Sequence, residues 1–309
     1  MNNVLVVGSL NMDITAKAEQ LPEVGETVLG YELIKNPGGK GANQAVSVSK
    51  LGGTSWILGK IGDDQHGILL KESLLNCEVN IDYLSIDTGC QTGCAVINVD
   101  RQGNNTIIVI PGANHELKES DLRQVDDEIS RFDSALLQLE VPLDTVFSAV
   151  EWLNKEGVRV IVDPVPVAEI PEDLFAKIDI MTPNLKEAKQ LLKVEKKDIS
   201  IPEVAELLIN KGINIVILTL GEKGAYVRSN SGNEFLIEGL EVNSVDSTGA
   251  GDCFTGAFAA HYDGTNLRKA VEFANTAAAL ATTRIGAQQA VPANEEVREF
   301  QKENKTFAG

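Results

Sequence analysis

Positive charge is scarce in this sequence of 309 residues, which has 27 lysine and arginine residues against 45 acidic ones and a net charge of −18. Proteins that bind nucleic acid or an anionic membrane need clustered lysine and arginine, so the balance argues against both partners. No apolar run approaches the ~18 residues that a membrane-spanning helix requires. A neutral substrate, or an anion held by local groups, remains compatible with this charge.

Cysteine and histidine are also few, with four and three residues. Cys90 and Cys94 are close together, but no second ligand pair follows at zinc-ribbon spacing, and a chain of this length needs no disulfide framework. We expect free thiols in a reducing cytoplasm, with metal or redox use of this pair as the alternative. The N-terminus lacks a basic region, and Val4–Val7 is too short for a signal peptide.

Two common phosphate-binding turns are missing. The turn after the first apolar run, Gly8-Ser9-Leu10-Asn11-Met12-Asp13, has one glycine, whereas a dinucleotide fingerprint has three. The segment Gly53…Gly59-Lys60-Ile61 has the wrong spacing for a P-loop and lacks its Mg²⁺-binding hydroxyl. The sequence therefore supports neither a Rossmann dinucleotide site nor a P-loop.

Short β-branched runs alternate with amphipathic helical patterns along the chain. The helical spacing of apolar residues is clearest over 143–153 and 267–281. Apolar strands separated by such helices predict βαβ units, and hence a mostly parallel sheet that is covered on both faces. The predicted buried strands are Val4–Val7, Ser55–Leu58, Ala135–Leu139, Arg159–Val162, Ile178–Met181 and Ile213–Thr219.

Two segments, 12–35 and 93–111, interrupt this alternation. Thr27–Ile34 has the pattern of a strand, and 93–111 has that of a hairpin with its turn at Asp100–Asn105. We expect a small antiparallel sheet inserted into a single α/β domain that spans 1–309. Such a sheet could close over a site as a lid and exclude water. From the pattern alone, an edge extension or a dimer surface is an equally good interpretation.

A glycine-rich segment, Pro37–Ala45, opens one of the predicted helices. Its glycines allow the backbone to approach a ligand closely, and Lys40 and Asn43 add hydrogen-bond donors at the start of the helix. The segment is therefore a candidate binding site. A flexible connection between a strand and a helix is the alternative.

A second glycine-rich segment, Asp246–Asp252, precedes another predicted helix. Gly249, Ala250 and Gly251 would expose unpaired N–H groups at the positive end of the helix dipole. This arrangement predicts an anion site without basic side chains, able to hold a transferring phosphoryl group. Asp252 could accept the proton of an attacking hydroxyl, or it could simply be a first-turn acid that complements the dipole.

These two segments resemble the ribokinase (PfkB-type) family of carbohydrate kinases. The resemblance spans residues 4–292 and includes five further motifs in matching order, Asn11-x-Asp13, Gln138-Leu139-Glu140, Thr182-Pro183-Asn184-x-x-Glu187, Thr219-Leu220-Gly221-x-x-Gly224 and Thr283–Gln288. It implies an α/β three-layer sandwich with a mostly parallel central sheet and a small antiparallel β lid. It also implies transfer of the γ-phosphoryl group of MgATP to the 5-hydroxyl of D-ribose. The alternatives are another sugar, such as fructose or deoxyribose, or a nucleoside as substrate, or a non-catalytic sugar-binding regulator.

The resemblance also implies roles for individual residues. Asp252 would be the general base, and the amides of Gly249, Ala250 and Gly251 the anion hole. The residues implied to contact the sugar are Asn11, Asp13, Gly39, Lys40, Asn43, Glu140 and Asp252. Those implied to contact the nucleotide are Asn184, Thr219, Gly221, Gly224, Gly251 and Asn275. From the pattern alone, Asn11 and Asp13 could be turn residues, and Asn184 with Glu187 could form a capping box at a helix start.

Ions and assembly follow from the same resemblance. It implies Mg²⁺ near Glu187, and K⁺ bound by the Asp246 carboxylate and by the carbonyls of Thr248, Ala281, Arg284 and Gly286. Ala290 stands where the family often has a serine hydroxyl, which water could replace. Asp163-Pro164-Val165-Pro166 stands in place of Asn-Pro-Ala-Pro, and the sequence offers no account of that change. A homodimer through the lid is also implied, and would cover a sheet edge.

Overall fold

The computed structural model describes residues 1–194 and 199–307, with side chains as far as residue 303. Its strands are β1 (Asn3–Val7), β2 (Asn11–Ala18), β3 (Gly30–Gly38), β4 (Thr54–Gly62), β5 (Leu84–Asp87), β6 (Gly93–Val99), β7 (Asn105–Ile110), β8 (Ser134–Leu137), β9 (Arg159–Val162), β10 (Ile180–Met181), β11 (Ile215–Thr219), β12 (Ala225–Ser229) and β13 (Glu234–Ile237). Its helices are α1 (Lys40–Lys50), α2 (Gln65–Asn76), α3 (Glu119–Leu122), α4 (Leu143–Lys155), α5 (Glu172–Phe175), α6 (Leu185–Leu191), α7 (Ile201–Asn210), α8 (Ala250–His261), α9 (Leu267–Ala281) and α10 (Asn294–Phe307).

The central sheet has nine strands in the order β13-β12-β11-β10-β9-β8-β1-β4-β5. Pairing is parallel from β11 to β5 and antiparallel for β12 and β13 at the far edge. Each of the six predicted buried strands is found, although β8, β10 and β11 are shorter than the apolar runs that predicted them. The expected mostly parallel sheet is therefore confirmed.

Helices cover both faces of this sheet because its strands are apolar on both sides. Val4 and Val6 of β1 pack into a core that includes α1, α8 and α9. Leu5 and Val7, which alternate with them, pack into a second core with α4 and α7. All four side chains are fully buried. The predicted three-layer arrangement is thus confirmed, and α1 and α8 lie together on one face.

A separate sheet of four strands, hereafter the small sheet, has the order β3-β2-β6-β7. The β2–β3 and β6–β7 pairs are antiparallel, whereas β2 and β6 run parallel. The strand predicted over 27–34 begins later, at Gly30, and continues to Gly38. Asn11 and Asp13 lie in β2 rather than in a turn. Pairing of β2 on both sides therefore outweighs the turn preference of these two residues.

The helices and the cysteines bear on two further expectations, about membrane spans and free thiols. None of the helices in the described part of the chain is both long and apolar enough to cross a membrane. Cys77, Cys90, Cys94 and Cys253 are free thiols. Cys253 lies in α8 and is fully buried, so burial raises its pKa to about 12.

Candidate active site

The starts of α1 and α8 come together because the two helices pack closely. Gly256 of α8 lies against α1, where a Cβ atom would come within 2.5 Å of the Ser47 Cβ atom and 2.8 Å of the Gln44 carbonyl oxygen. Gly39 caps α1 with a φ of +87°, and Gly249 caps α8 with a φ of +73°. Glycine adopts such left-handed conformations without steric cost. Both glycine-rich segments thus reach the same region.

The turn into α1 is tightly packed rather than loose. A Cβ atom on Gly39 would lie 2.6 Å from the Asn11 amide nitrogen, and one on Gly41 would lie 2.6 Å from the Ser9 amide nitrogen. The N–H group of Ala42 donates to the Ser9 carbonyl at 3.0 Å. These contacts fix the start of α1 against the segment between β1 and β2, which disagrees with the interpretation of this turn as a flexible connection.

Asp252 lies in the first turn of α8 and is 5% exposed. Asn43 Nδ2 donates to its Oδ2 atom at 3.0 Å, and Gln44 Nε2 donates to its Oδ1 atom at 3.1 Å. The Lys40 ammonium is 3.8 Å from Oδ1. Gln288 Nε2 in turn donates to Asn43 Oδ1 at 3.1 Å, which orients the Asn43 amide toward Asp252. The carboxylate is thereby held by three side chains of α1.

Further carboxylates and amides surround this position. The Glu140 Oε2 atom accepts from the Ser9 hydroxyl at 2.5 Å and from the Lys40 N–H group at 3.3 Å. Asn11 Oδ1 accepts from Asn114 Nδ2 at 2.8 Å. A site lined by so many hydrogen-bonding groups suits a polyhydroxylated ligand.

Asp13 extends this polar lining from β2. A Cβ atom on Gly38 would come 2.2 Å from Asp13 Oδ2, so a larger residue there would displace this carboxylate. Burial, together with the nearby charges of Glu140 and Asp252, raises the pKa of Asp13 to about 7. The structure therefore places these three carboxylates close enough to influence one another.

Lys40 supplies the positive charge for this group of acids. Burial by itself lowers the pKa of an ammonium group, but the carboxylates of Asp252, Asp163 and Glu140 outweigh that effect and raise the pKa of Lys40. Lys40 therefore stays charged. It partly neutralises the site without entering a short ion pair, since it lies 3.8 Å from Asp252 and 3.9 Å from Asp163.

The start of α8 offers unpaired backbone donors. Within the described residues, the N–H groups of Gly249, Gly251 and Asp252 donate to no protein acceptor, whereas that of Ala250 lies 3.2 Å from the Ser247 carbonyl oxygen. Gly251 is exposed, and a Cβ atom there would meet no protein atom within 4 Å. Free N–H groups beside open space at a helix start make a site for an anion. Ala250 contributes less than its two glycine neighbours.

Asn184 and Glu187 form the capping box that their spacing predicts. Glu187 N donates to Asn184 Oδ1 at 2.9 Å, and Asn184 N donates to Glu187 Oε2 at 2.8 Å. Asn184 also forms a parallel bridge with Thr219 at the end of β11, where Thr219 N donates to the Pro183 carbonyl at 3.0 Å. The start of α6 and the end of β11 therefore meet at the edge of the central sheet where the parallel strands have their carboxyl ends.

Gly221, Gly224 and Asn275 lie further along this edge. Gly221 and Gly224 form the turn between β11 and β12, with φ values of +62° and +93°. A Cβ atom on Gly224 would come within 2.0 Å of the Ile237 carbonyl oxygen, so the turn contacts the end of β13. Asn275 of α9 donates from Nδ2 to the Glu238 carbonyl at 3.0 Å. The turn and Asn275 therefore contact the same short segment.

The candidate cation ligands lie in the loop before α8 and at the end of α9 with the loop that follows it. Asp246 Oδ1 accepts from Thr248 N at 2.9 Å and from Thr248 Oγ1 at 2.6 Å, and Asp246 Oδ2 accepts from Gly286 N at 2.9 Å. Desolvation opposes ionisation of Asp246, but the Gly286 and Thr248 donors outweigh it and lower its pKa. The Ala281 carbonyl accepts from Arg284 N at 3.2 Å. Ala290 is fully buried and offers no oxygen.

The candidate residues thus fall into three groups: the sugar set around the starts of α1 and α8, the nucleotide set along the edge formed by α6, β11 and α9, and the cation set in the adjoining loops. Sequence reasoning missed Gln44, Asn114 and Asp163. Asp163 directly follows β9, and the carboxyl ends of parallel strands are the usual place for ligand-binding residues, so its position was a usable signal. Asn114 carried no comparable signal, and Gln44 carried only its place in the segment Pro37–Ala45.

The chain is similar to carbohydrate kinases of known sequence and structure. The model of the pfkB family of carbohydrate kinases matches residues 1–294. The ribokinase of Haemophilus influenzae is 38% identical over 299 residues, which are 96% of this chain and 97% of that protein. The structure of the ribokinase of Thermotoga maritima, 38% identical, aligns with a TM-score of 0.90 over 98% of this chain and 100% of its own. The ribokinase of Arabidopsis thaliana complexed with ribose and ATP, 32% identical, aligns with a TM-score of 0.88 over 96% and 98%.

Proposed function

Because the chain belongs to the pfkB family of carbohydrate kinases, we propose that it transfers the γ-phosphoryl group of ATP to the 5-hydroxyl of D-ribose. The observation that carries this proposal is the buried carboxylate of Asp252 in the same helical turn as free N–H donors. A proton acceptor and an anion site therefore adjoin each other. The relatives described as ribokinases, one of them in complex with ribose and ATP, support the choice of substrates.

In the proposed reaction, Asp252 accepts the proton of the sugar hydroxyl as its oxygen bonds to the γ-phosphorus. The bond from that phosphorus to the bridging oxygen breaks, and ADP leaves with the bonding electrons. Phosphoryl transfer depends mainly on positioning and on stabilising charge at the phosphoryl oxygens. The free N–H groups of Gly249 and Gly251 are arranged to do this, with a smaller contribution from Ala250.

The sugar would lie against Asn11, Asp13, Gly39, Lys40, Asn43 and Glu140. Carboxylates accept hydrogen bonds from vicinal hydroxyls, while the Lys40 ammonium and the Asn43 amide donate to hydroxyl oxygens. Asn43 spans the proposed sugar site and Asp252, since its amide already donates to that carboxylate at 3.0 Å. A sugar that binds here would therefore have one hydroxyl held beside the base.

The nucleotide would bind along the edge that carries Asn184, Thr219, Gly221, Gly224 and Asn275, with its phosphates directed to Gly251. The turn at Gly221 leaves space, because a Cβ atom there would meet no protein atom within 4 Å. Gly224 is different, since its contact with the Ile237 carbonyl shapes the turn itself. We therefore assign Gly221 to the ligand surface and Gly224 to its support.

Mg²⁺ would accompany the nucleotide phosphates near Glu187. Both carboxylate oxygens of Glu187 accept hydrogen bonds from Asn184, which leaves lone pairs for water molecules of a hydrated ion. Within the described residues, no group of three or more His, Cys, Asp or Glu side chains could by itself hold a metal ion. This fits Mg²⁺, which keeps several waters and commonly binds through phosphates. When bound, it would neutralise charge on the phosphates.

K⁺ would be bound by the Asp246 carboxylate and the carbonyls of Thr248, Ala281, Arg284 and Gly286. The donor set fits, because hard oxygen ligands and one net negative charge suit an alkali cation. Three of the roughly four acceptor positions of the carboxylate are already used by N–H and O–H donors, so Asp246 itself can offer about one. The ion would stabilise the loop that leads into Gly249.

We also propose that the chain works as a homodimer in the cytoplasm. The outer strand of the small sheet, β7, exposes Ile107, Ile108, Val109 and Ile110 by 48–62% each. An exposed apolar edge strand is a site for association, and a second copy would cover it. Ile108→Lys should convert a dimer to a monomer in sedimentation velocity; a wild-type monomer would contradict this proposal.

The free thiols fit a reducing compartment such as the cytoplasm. Recovery of the protein outside the cytoplasm in cell fractionation would contradict the proposed location.

Activity on a panel of sugars tests the proposed function most directly. ADP release with Mg²⁺ and K⁺ should be most efficient with D-ribose, measured as kcat/KM. 2-Deoxyribose should be about 10- to 100-fold poorer, because a buried polar group of the site would lose its partner. Higher efficiency with 2-deoxyribose or fructose would overturn the ribose assignment. Binding of ribose without turnover of any sugar would instead favour a non-catalytic regulator.

A further inference from the structure

Asp163 is a carboxylate next to the proposed base that the mechanism so far does not use. It directly follows β9 and is 6% exposed. Its backbone is fixed, since its N–H group donates to the Leu137 carbonyl at 2.9 Å and its carbonyl accepts from Val165 N at 2.8 Å. The backbone of Asp163 is therefore anchored, and its carboxylate lies buried within the site.

Asp163 and Asp252 share the same two donors. The Gln44 Nε2 atom is 2.9 Å from Asp163 Oδ2 and 3.1 Å from Asp252 Oδ1, so its two hydrogens serve one carboxylate each. The Lys40 Nζ atom is 3.9 Å from Asp163 Oδ2 and 3.8 Å from Asp252 Oδ1. Lys40 thus lies about equally far from the two acids, paired closely with neither.

The orientation of Gln44 is fixed from behind. Gln138 Nε2 donates to Gln44 Oε1 at 2.6 Å, so the Gln44 amide must turn its NH₂ group toward the carboxylates. Both glutamines are fully buried. With Gln44 Oε1 occupied by Gln138, both N–H groups of the Gln44 amide face carboxylates, those of Asp163 and Asp252. The arrangement is built for two carboxylates.

The charges that face Asp163 come from several elements. Burial is the largest influence and raises the pKa of Asp163 to about 7; Lys40 of α1 lowers it, while Asp252 of α8, Glu187 of α6 and Glu140 raise it. Asp163 therefore changes its charge near neutral pH, whereas Lys40 remains positive. Whether the Lys40 ammonium interacts with both carboxylates or with Asp252 alone therefore depends on the charge of Asp163.

We propose that Asp163 is a positioning residue whose ionised carboxylate shares Lys40 and Gln44 with Asp252 and thereby keeps Asp252 an effective proton acceptor. When Asp163 is neutral, the ammonium of Lys40 interacts with Asp252 alone, and a closely paired carboxylate is a poorer proton acceptor. Activity then falls with the protonation of Asp163. This inference rests on the proposed function, in which Asp252 is the base.

Asp163→Asn tests the inference because it removes the charge and nearly preserves the shape. The pH dependence of kcat is measured from about pH 5 to 9 at saturating ribose and ATP, which reports groups of the ternary complex. Wild-type kcat should fall as the pH drops through about 7. In Asp163→Asn this decline should move down by about one pH unit or more, as expected when a charged neighbour is removed. The plateau at high pH should be lower, because Lys40 then pairs with Asp252 alone.

Two controls separate this role from others. Asp13 also has a pKa of about 7, so Asp13→Asn is measured in parallel and should retain the decline near pH 7. Asp179→Asn removes a partly buried carboxylate next to β10, outside the site, where it accepts from Val160 N at 2.8 Å; it should change stability without moving the decline. If Asp163→Asn does not fold, infrared absorption of protonated carboxyl groups in Asp13→Asn should still reveal a loss of protonated acid through about pH 7, which belongs to Asp163. Removing the Gln44 donor as well, in Asp13→Asn/Gln44→Leu, should move that loss to higher pH.

The outcomes distinguish the inference from the proposed function. An unchanged decline in Asp163→Asn, or its loss in Asp13→Asn alone, overturns the inference and leaves the kinase assignment intact. An absence of infrared change near pH 7 in Asp13→Asn overturns it as well. A wild-type protein that phosphorylates no sugar at any pH, or near-normal kcat in Asp252→Asn, overturns both.

Discussion

Gly251→Ala should stabilise the protein and impair its reaction with ATP. Gly251 lies in the first turn of α8, and a Cβ atom there would meet no protein atom within 4 Å. Alanine in a helix is more stable than glycine by about 0.5–1 kcal/mol. With an unfolding entropy of ~2.1 cal/mol/K per residue, 1 kcal/mol corresponds to about 1.5 °C in a chain of 309 residues. We therefore expect Tm to rise by about 1 °C.

The same methyl group would occupy space that we assign to the phosphates of ATP. Forcing an extra methyl group into a packed contact costs about 1–3 kcal/mol, so kcat/KM for ATP should fall about 10- to 100-fold. Steady-state kinetics with ATP varied at saturating ribose measures this loss, and calorimetry measures the stability.

Gly256→Ala is the matched control in the same helix. There the Cβ atom would lie 2.5 Å from the Ser47 Cβ atom and 2.8 Å from the Gln44 carbonyl oxygen. The overpacking should destabilise the protein by about 1–3 kcal/mol, the opposite sign to Gly251→Ala. Normal kcat/KM for ATP in Gly251→Ala would refute the anion site at this helix start. Destabilisation by Gly251→Ala would show that the space is not open.

Further predictions concern the start of α1 and the cation loop. Gly39→Ala should lower the free energy of unfolding, measured by urea denaturation, by about 2–5 kcal/mol. Gly39 has a left-handed φ of +87°, and a Cβ atom there would lie 2.6 Å from Asn11 N. An unchanged denaturation midpoint would contradict these contacts. Asp246→Asn should raise the K⁺ concentration for half-activation about tenfold or more, a change of at least ~1.4 kcal/mol, and an equal response in both proteins would place K⁺ elsewhere. Because the Asp246 pKa is lowered, wild-type activation by K⁺ should be constant between about pH 6 and 8; a decline there would disagree.

The fold was largely predictable because its strands are continuous apolar runs. Val4–Val7 and Val160–Val162 are buried on both faces, so their apolar composition alone identified these strands. The strands β2, β5, β12 and β13 were not identified separately. In β12, Ala225–Ser229, polar and apolar residues are mixed, so its own pattern does not identify a strand. Its antiparallel pairing with β11 stabilises the extended conformation instead.

The candidate site was predictable where chemistry left a local pattern. The glycine-rich segments before α1 and α8 could be located because close backbone contacts and left-handed caps need glycine. Gln44 lies within the first of these segments, but its role could not be predicted, because its partners Gln138, Asp163 and Asp252 are far from it in sequence. The position of Asp163 after β9 marked it as a candidate, but its partner, 119 residues away, could not be predicted: the Asp163 Oδ2 atom lies 2.9 Å from Gln44 Nε2.

The central claim is that Asp252 accepts the proton of the ribose hydroxyl. Asp252→Asn removes its negative charge while retaining its approximate shape, and kcat with ribose and ATP should fall about 10²- to 10⁴-fold. Ribose affinity, measured by titration calorimetry, should change by less than about tenfold, because Asn43 and the other sugar contacts remain. Asp263→Asn, an exposed carboxylate just beyond α8, should leave kcat unchanged. A kcat for Asp252→Asn near that of wild type would contradict the account.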